Sequence, residues 1–375
     1  MRRLIYIFII GLLLCSYTWA DGSRYASKSL LSEGKWVKIR VDKTGIYKLS
    51  YADLKNMGFS DPSKVSVHGY GGWPLDEDFS KEYIDDVPST PVWRGSDYLL
   101  FYGKGPVKWE YDSSSQTFVH TNNPYSLYGY YFVTDATPTN DMTSVAQASG
   151  ASTRITTYDD YLLHEQELVS VNQSGREFFG EDFSGARPRT ISTFSSIPGI
   201  TDADGKVTMR FISRINSGSG TASLSINDSE LLDITIPSIQ TVSSNVRSYT
   251  KAIPGTTTAL WKGSKSEKNN VVVSYSSSGH TNVRLDYIRM QFVRTLRPYG
   301  ACTFFRSLTS VGNASRFVIS EANSNTLVFD VTDALNVKRV EADLNGSELS
   351  FTIPAGRLRS HPVWVRGLKP CSMKV

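Results

Sequence analysis

Short runs in which apolar and polar residues alternate recur along this chain, and they predict β-strands rather than helices. Val207, Met209 and Phe211 alternate with polar residues, and the run 222–226 repeats this period of two. Tracts rich in Ser, Thr, Asn and Gly separate the apolar runs. The pattern predicts a mostly β protein with two or three antiparallel β-sandwich or jelly-roll-like domains and few short helices.

The run 283–293 changes its phase part-way along. Leu285 and Tyr287 share one phase of the alternation, whereas Ile288 and Met290 share the other. A β-bulge near Tyr287 would produce such a switch, and so would a strand that is buried on both faces.

Local signals predict one short helix and two hairpins. Ser50 with an aspartate three residues later predicts a capped helix over 51–57, and Gly58 is a suitable residue to end it. The turn 42–45 predicts a hairpin between the strands 35–41 and 46–49. The second hairpin is predicted from Asn345-Gly346, which lies between the apolar runs 337–342 and 349–353.

Shifts in composition divide the chain into five parts. Residues 136–157 are rich in Thr, Ser and Ala, and 158–174 carries leucines in a pattern that suits either a helix or an extended crossing segment. The predicted parts are a signal peptide (1–20), an N-terminal β-rich domain (21–135), a linker or crossing segment (136–188), a β-sandwich domain (189–300) and a C-terminal β-rich segment (301–375).

The first residues have the pattern of an export signal. Arg2 and Arg3 precede the apolar run 4–14, and small residues before the end of the segment predict cleavage after Ala20. A lipoprotein anchored at Cys15 is the alternative, but the leucine directly before that cysteine does not suit it. The apolar run is short for a bilayer span, and no later segment is apolar enough to be one. We therefore expect an exported protein at the cell surface, at the outer membrane or in the periplasm.

The net charge and the cysteine content bear on the partners of the protein and on disulfide bonding. The formal charge is +4, and removal of residues 1–20 takes away two arginines and no acid, which lowers it to +2. A nearly neutral chain implies no nucleic-acid partner. Cys302 and Cys371 could form a disulfide outside the cytoplasm or remain thiols. The apolar surroundings of Cys302 favour a buried, inert thiol.

Motifs for catalysis or metal binding are absent from the sequence. None of the five histidines is spaced four residues from another, and there is no His-Glu-x-x-His, Cys-x-x-Cys, nucleophile elbow or Walker loop. The segment 202–205 begins like a calcium loop, but it lacks the later oxygen ligands, so a hairpin turn is favoured. Adjacent acids such as Glu181-Asp182 suit a solvated loop. We predict no catalytic, cofactor-binding or metal-binding residue in this chain.

Aromatic residues are abundant, with 20 Tyr, 17 Phe and 7 Trp. Tyr70, Trp73, Trp93 and Trp109 could line a groove for a glycan or a peptide, although aromatic residues on strands are more often part of a core. The sequence leaves both interpretations open.

The segment 34–50, Gly-Lys-Trp-Val-Lys-Ile-Arg-Val-Asp-Lys-Thr-Gly-Ile-Tyr-Lys-Leu-Ser, resembles the opening of the PorU family, the sortases of the type IX secretion system in Bacteroidetes. Further segments agree with that family in the expected order, namely 65–73, 120–133, 174–183, 285–290 and 328–340.

The resemblance implies an outer-membrane-associated cysteine peptidase of gingipain type. Such an enzyme removes a C-terminal sorting signal from cargo and transfers the cargo to an anionic lipopolysaccharide. Its partners are type IX outer-membrane components and cargo proteins that carry C-terminal sorting signals. The family's catalytic histidine and cysteine lie in an α/β domain after the β-rich region. The strand-like run 361–365 and the linker-like run 366–370 stand where that domain is expected to begin, so no catalytic residue is carried over. The pair His68-Gly69 matches the family's His-Gly pair only superficially.

Three functions therefore remain open. The first is the scaffold or cargo-positioning region of a type IX sortase without its catalytic domain. The second is an autonomous secreted β-sandwich module that binds a glycan or a protein. The third is a hydrolase whose Cys–His or acid pair converges only in the folded chain.

Overall fold

The computed structural model describes residues 25–356 except 79, 82–83, 172–174, 176, 186, 216–217, 239–251 and 278–280, and also residue 358. For 215, 237, 281 and 361–365 it describes the backbone alone. The predicted signal peptide, Cys371 and the run 366–370 lie outside the described residues. In the part that is described, no helix has the length and apolar character needed to cross a membrane.

The fold is mostly β, as predicted, with many antiparallel sheets and one α-helix among the described residues. The helix α1 spans Tyr51–Asn56, and short 3-10 turns occur at Leu30–Ser32, Pro62–Lys64, Ser192–Phe194 and Leu308–Ser310. The strands are β1 Val37–Val41, β2 Gly45–Ser50, β3 Ser66–Gly71, β4 Ser89–Thr90, β5 Val92–Arg94, β6 Tyr98–Gly103, β7 Val107–Asp112, β8 Thr117–Asn122, β9 Gly129–Thr134, β10 Ser144–Val145, β11 Thr153–Ile155, β12 Thr157–Glu165, β13 Arg189–Thr190, β14 Gly205–Ile215, β15 Ser219–Ile226, β16 Ser229–Pro237, β17 Ile253–Trp261, β18 Val271–Ser277, β19 Thr281–Thr295, β20 Cys302–Phe305, β21 Ser315–Ile319, β22 Thr326–Asp330, β23 Lys338–Val340, β24 Asp343–Asn345, β25 Glu348–Ile353 and β26 His361–Val365.

Two four-stranded antiparallel sheets form a sandwich in the middle of the chain. Their strand orders are β12-β19-β14-β17 and β13-β18-β15-β16. The predicted alternation is confirmed, because Val207, Met209 and Phe211 are fully buried in the core between the sheets. Burial of one face of each strand fixes the register, since a slip of one residue would turn that face to water.

The predicted bulge is also confirmed, and it lies one residue before Tyr287. Arg210 pairs with Tyr287, but Phe211 pairs with Leu285, so Asp286 is the extra residue on β19. The bulge moves the apolar set from one phase to the other and keeps both parts of β19 in the core. Asp286 is buried and pairs with Arg210.

The sheets β1-β9-β3-β4 and β2-β6-β5 pack together as an N-terminal unit. The predicted hairpin between β1 and β2 is wrong, because β1 pairs with β9 and β2 pairs with β6. The turn 42–44 instead passes the chain from one sheet to the other. Both faces of β2 and β6 are buried, so Tyr47 packs inside this unit while Ile46 points away from its core.

The predicted helix cap is confirmed at α1. The backbone N–H of Asp53 donates to the Ser50 hydroxyl at 3.0 Å, and that hydroxyl donates to the Asp53 carboxylate at 2.6 Å. Gly58 follows with a φ of +87°, a conformation that favours glycine.

The C-terminal unit contains the sheets β10-β23-β22-β26-β20 and β11-β21-β25-β24. The short strands β10 and β11 precede the sandwich in sequence, yet they pair in parallel with β23 and β21, which follow it. The Asn345-Gly346 turn is confirmed, but its first arm is β24 and not the run 337–342. The domain boundaries at 135, 188 and 300 stay a prediction, and the crossing segment contributes the extended strand β12 to the sandwich.

Shared cores hold the three units together. Ile46 and Leu100 of the N-terminal unit pack with Phe329 of the C-terminal unit. Tyr158 of β12 packs with Phe305 in the C-terminal core. The hairpin β7–β8 lies against the sandwich, so all three units meet around one region.

Candidate functional site: an aromatic cleft between three units

An open cleft of about 610 Å³ lies where the three units meet. The hairpin β7–β8 and the turn 42–44 form one side of it, β12 and the end of β19 form the second, and β20 with its neighbouring loops forms the third. Its volume falls within the range of ligand-binding pockets. We refer to this region as the cleft.

Stacked aromatic rings form the wall between the hairpin and the sandwich. The rings of Trp109 and Tyr161 are parallel within 17°, with centroids 3.9 Å apart. Phe118 packs at 5.3 Å from Tyr161 and at 5.2 Å from Tyr111. All four side chains line the cleft. Such rings offer large apolar faces with polar edges, which suits binding of a flat or extended ligand.

A carboxylate held by two arginines forms the floor beside these rings. Asp160 Oδ2 accepts a hydrogen bond from Arg294 Nη1 at 2.8 Å, and Asp160 Oδ1 lies 3.9 Å from Arg306 Nη1. The three side chains are only 14%, 12% and 7% exposed. Arg294 lies over the ring of Tyr299 at 3.6 Å, and Arg306 lies over Tyr161 at 4.4 Å. These charges are satisfied by one another and by the aromatic faces.

The neighbouring carboxylate is tied to the backbone. Asp159 Oδ2 accepts the N–H of Leu308 at 2.7 Å, and burial raises the pKa of Asp159 above its ordinary value. The backbone N–H of Asp159 donates to the Arg306 carbonyl at 2.9 Å. These bonds fasten β12 to the segment that follows β20.

A buried lysine lies next to the cleft. Lys104 is 5% exposed, and its Nζ lies 3.8 Å from the centroid of Tyr70 and 4.9 Å from that of Trp73. Burial lowers the pKa of Lys104 to about 8. Trp73 lines the cleft, and its indole N–H is buried with no hydrogen-bond partner among the described residues. A buried donor of this kind normally has a partner.

Three edge strands border the cleft. β7, β12 and β20 each lie at the edge of a different sheet, and residues of all three line the cleft. The outer edge of β8 is occupied at Phe118, whose N–H donates to Gln291 Oε1 at 2.9 Å and whose carbonyl accepts from Gln291 Nε2 at 3.4 Å.

Of the four aromatic residues singled out in the sequence, two line the cleft and two do not. Trp73 and Trp109 line it, whereas Tyr70 packs over Lys104 and Trp93 packs on Tyr98. Cys302 was expected to be buried, but it is half-buried and also lines the cleft. Whether this cysteine pairs with Cys371 or stays a thiol is untested, because Cys371 lies outside the described residues.

The histidines whose side chains are described lie in separate places, and none lines the cleft. His120 Nε2 lies 3.2 Å from Glu165 Oε2. His164 bridges Glu181 at 2.7 Å and the exposed Thr193 hydroxyl at 2.8 Å. This chain of hydroxyl, imidazole and carboxylate has the group order of a catalytic triad, but it belongs to the outer surface of the sandwich rather than to the cleft.

The described residues contain no cluster of three or more His, Cys, Asp and Glu that could hold a metal ion. Asp202, which begins the calcium-like segment, instead accepts the backbone N–H of Lys265 at 2.8 Å. The predicted absence of catalytic, cofactor and metal residues is not tested by this arrangement.

Sequence reasoning missed the charged and buried residues of the cleft. Asp160 and Arg294 are separated by 134 positions and Asp159 and Arg306 by 147, and no local motif marks either pair. The available signals were Trp73 and Trp109, which stood among the candidate aromatic residues.

Comparison with known proteins agrees with the sequence resemblance. A crystal structure of dimeric, latent PorU from Porphyromonas gingivalis is similar to the chain, with a TM-score of 0.78, 31% sequence identity and coverage of 93% of this chain. The chain is an N-terminal PorU-like region. It spans 34% of the length of that PorU structure.

Other solved structures are far less similar to this PorU-like region. The C-terminal CBM6 of the laminarinase LamC from Zobellia galactanivorans has a TM-score of 0.19 and 12% identity, covering 35% of this chain and 98% of its own. A carbohydrate-binding module from a Cellvibrio mixtus lichenase, in complex with cellotriose, has a TM-score of 0.18 and 12% identity, covering 38% of this chain and 92% of its own. TM-scores this low carry no inference about fold or ligand. No protein-family model and no curated protein sequence matches the chain.

Proposed function

We propose that this chain is the scaffold region of a type IX secretion sortase and that it positions cargo carrying a C-terminal sorting signal. The observation that carries the proposal is the similarity to PorU over 93% of the chain. The part proposed for this region is positioning, because the resemblance carries the family's catalytic histidine and cysteine over to none of its residues.

The cleft supports a positioning role. It is bordered by three sheets that share buried cores, so its walls have a fixed separation. Its acidic and basic lining residues are equal in number, namely Asp42, Glu110, Asp160, Lys43, Arg294 and Arg306. A preformed cleft loses little conformational entropy when a ligand binds.

The test asks whether the chain retains a cargo protein without cleaving its sorting signal. Residues 21–375 are mixed with a reporter fused to the C-terminal sorting signal of a type IX cargo protein, and binding is measured by biolayer interferometry. A matched reporter without the signal is the control. We expect the signal-bearing reporter alone to be retained and to keep its full mass. Equal binding of both reporters contradicts the positioning role, and release of the signal shows a hydrolase instead.

A second candidate is an autonomous secreted module that binds a glycan or a protein. The observation that favours it is the pair Trp73 and Trp109, which are half-buried and line an open cleft. A glycan array probed with residues 21–375 separates the candidates. Selective glycan binding together with failure to retain the reporter favours the autonomous module.

The proposed location is outside the cytoplasm, at the cell surface, at the outer membrane or in the periplasm. The support is the residue pattern of 1–20, which has the charged start, apolar run and small-residue end of an export signal. Sequencing of the N-terminus of the cellular protein tests this. We expect it to begin at Asp21, and an intact Met1 contradicts export by this signal.

A further inference from the structure

The hydrogen-bond pattern of the hairpin shows which backbone groups of β7 point away from β8. Phe118 uses its N–H and C=O on Gln291, so these groups face outward from β8. In an antiparallel pair, the residue opposite such a position also directs its N–H and C=O outward. Phe118 lies opposite Tyr111, and the alternation then gives Trp109 and Val107 the same orientation. The bond from the Asn123 N–H to the Pro106 carbonyl confirms this phase.

The two edges of the hairpin are therefore unequal. On β8, the side-chain amide of Gln291 occupies the outward groups of Phe118. On β7, the outward N–H and C=O groups of Val107, Trp109 and Tyr111 have no backbone partner among the described residues. All three residues line the cleft. An unpaired edge with this alternation of donors and acceptors is a template for another strand.

We propose that the cleft receives an extended, uncharged polypeptide segment of a partner protein, which adds as a strand to the free edge of β7. The inference deepens the proposed function and rests on it, because it names the binding edge and the chemistry of the segment.

The walls of the cleft define the side chains that the segment carries. The charged groups of the floor are already engaged, since Asp160 neutralises Arg294, while Arg306 donates to the Asp159 carbonyl at 3.1 Å and lies over the ring of Tyr161. A charged ligand side chain would lose water without gaining a free counter-charge. The rings of Trp109 and Tyr161 favour an aromatic or branched apolar side chain.

A saccharide fits these observations less well. Stacking rings suit sugars as well as peptides, but three outward N–H and C=O pairs at strand spacing match the backbone of a peptide. We therefore assign the cleft to a polypeptide and make saccharide binding an outcome of the test.

The first experiment leaves the protein unchanged and alters the ligand. The probe is the capped peptide Ac-Thr-Tyr-Thr-Val-Thr-Tyr-Thr-NH2, and binding to residues 21–375 is followed through the tryptophan indole signals in 15N–1H NMR spectra. Two analogues carry a single N-methyl group, one on the central Val and one on the neighbouring Thr. Adjacent amides of a strand point to opposite sides, so one analogue should bind about tenfold more weakly while the other stays within about twofold of the probe.

The second experiment alters the edge of β7. Val107→Pro removes one outward N–H and breaks no bond to β8, and proline is tolerated on an edge strand. Val107→Ala is the matched control, because it shortens the side chain and keeps the N–H. We expect about tenfold weaker binding of the probe by Val107→Pro than by Val107→Ala, with the two variants unfolding at similar temperatures.

Several results would overturn the inference. They are absence of probe binding, equal weakening by both N-methyl groups, equal affinity of the two Val107 variants, and binding of maltohexaose or cellohexaose in place of the peptide. A dimer in light scattering that Val107→Pro dissociates assigns the edge to a second copy of this chain, which also overturns it. If the cargo reporter is retained by wild type and Val107→Pro alike, the inference fails while the proposed function stands. If the reporter is not retained but the probe binds as expected, the proposed function fails and strand addition at β7 stands.

Discussion

The core of the sandwich and the cleft differ in what they bury, although β12 and β19 contribute to both. The sandwich core is closed and made of aliphatic and aromatic side chains. The cleft is open, and its walls hold a carboxylate, two arginines and stacked rings. Burial of apolar surface explains the first region completely, whereas buried charge brings little net stability. Under the proposed function, the polar walls serve recognition more than stability.

Strand β12 shows how one element serves both regions. Leu162 packs on the sandwich core, while its neighbours Tyr161 and Leu163 line the cleft. Successive side chains of a strand point to opposite faces, so core formation and cleft formation are specified by alternate residues. Each region can then be perturbed with little effect on the other.

The largest expected effect is in the sandwich core. Phe211 is fully buried and packs on Phe183 with centroids 5.3 Å apart. Phe211→Ala should lower the free energy of unfolding by about 3–5 kcal/mol, because it leaves a cavity in a closed core. Urea unfolding measures the loss, and a loss below about 1 kcal/mol would show that the core is not closed as described.

Removal of the carboxylate in the cleft should have a smaller effect. Asp160→Asn keeps the shape of the side chain but leaves Arg294 and Arg306 without their counter-charge, at a cost of about 3 kcal/mol. The control is Glu321→Gln, because Glu321 pairs with Arg297 but is 62% exposed, and such pairs are worth about 0.5 kcal/mol. Equal losses in the two variants would contradict a buried network.

The buried lysine should give the protein a pH dependence. The folded-state pKa of Lys104 is about 8, against an ordinary value of 10.5, so the unfolded chain binds more protons between these values. Stability should therefore rise with pH across this window and fall as pH drops towards 8. Lys108 and Asp333 are the charges that act on this group.

Comparison of urea unfolding at pH 7.5 and 9.5 tests this. Lys104→Met should remove about 2 kcal/mol of the pH-dependent gain shown by wild type. Lys108→Met, at a more exposed site, serves as the control and should leave most of the gain in place. An equal change in stability between the two pH values in wild type and in Lys104→Met would refute the role of this lysine.

The smallest expected effect on stability is at the aromatic wall. Trp109→Ala should cost about 1 kcal/mol, because the stacked ring is half-buried and its loss opens the cleft instead of leaving a closed cavity. Probe binding by Trp109→Ala should weaken at the same time. In this variant the effect on binding should exceed the effect on stability, whereas in Phe211→Ala the effect on stability should be the larger one. A loss of stability as large as that of Phe211→Ala would make Trp109 a core residue and remove the contrast between the two regions.

Much of the fold could be predicted from the sequence because strand burial has a period of two. Val207, Met209 and Phe211 lie in the core as their alternation indicates, and the phase switch near Tyr287 coincides with the bulge at Asp286. The hairpin between β1 and β2 was wrong because a turn signal shows where the chain reverses but not which sheet receives the next strand.

The cleft could be predicted only in part. Trp73 and Trp109 were recognised as candidates from their residue type, but Tyr70 and Trp93 belonged to the same set and lie elsewhere. Asp160 meets Arg294 only because β12 and β19 pair across more than a hundred positions. Contacts of this kind depend on tertiary pairing, which local patterns do not contain.

The sandwich has the topology of a domain inserted into the chain of another domain. Its first strand begins at Thr157 and its last ends at Thr295, and these two residues are paired neighbours. The strands β10 and β11 before the insertion fold with β23 and β21 after it. Excision of 157–295 would therefore bring together chain ends that already lie side by side. The cleft lies along the seam between the inserted sandwich and the units on either side of it in sequence.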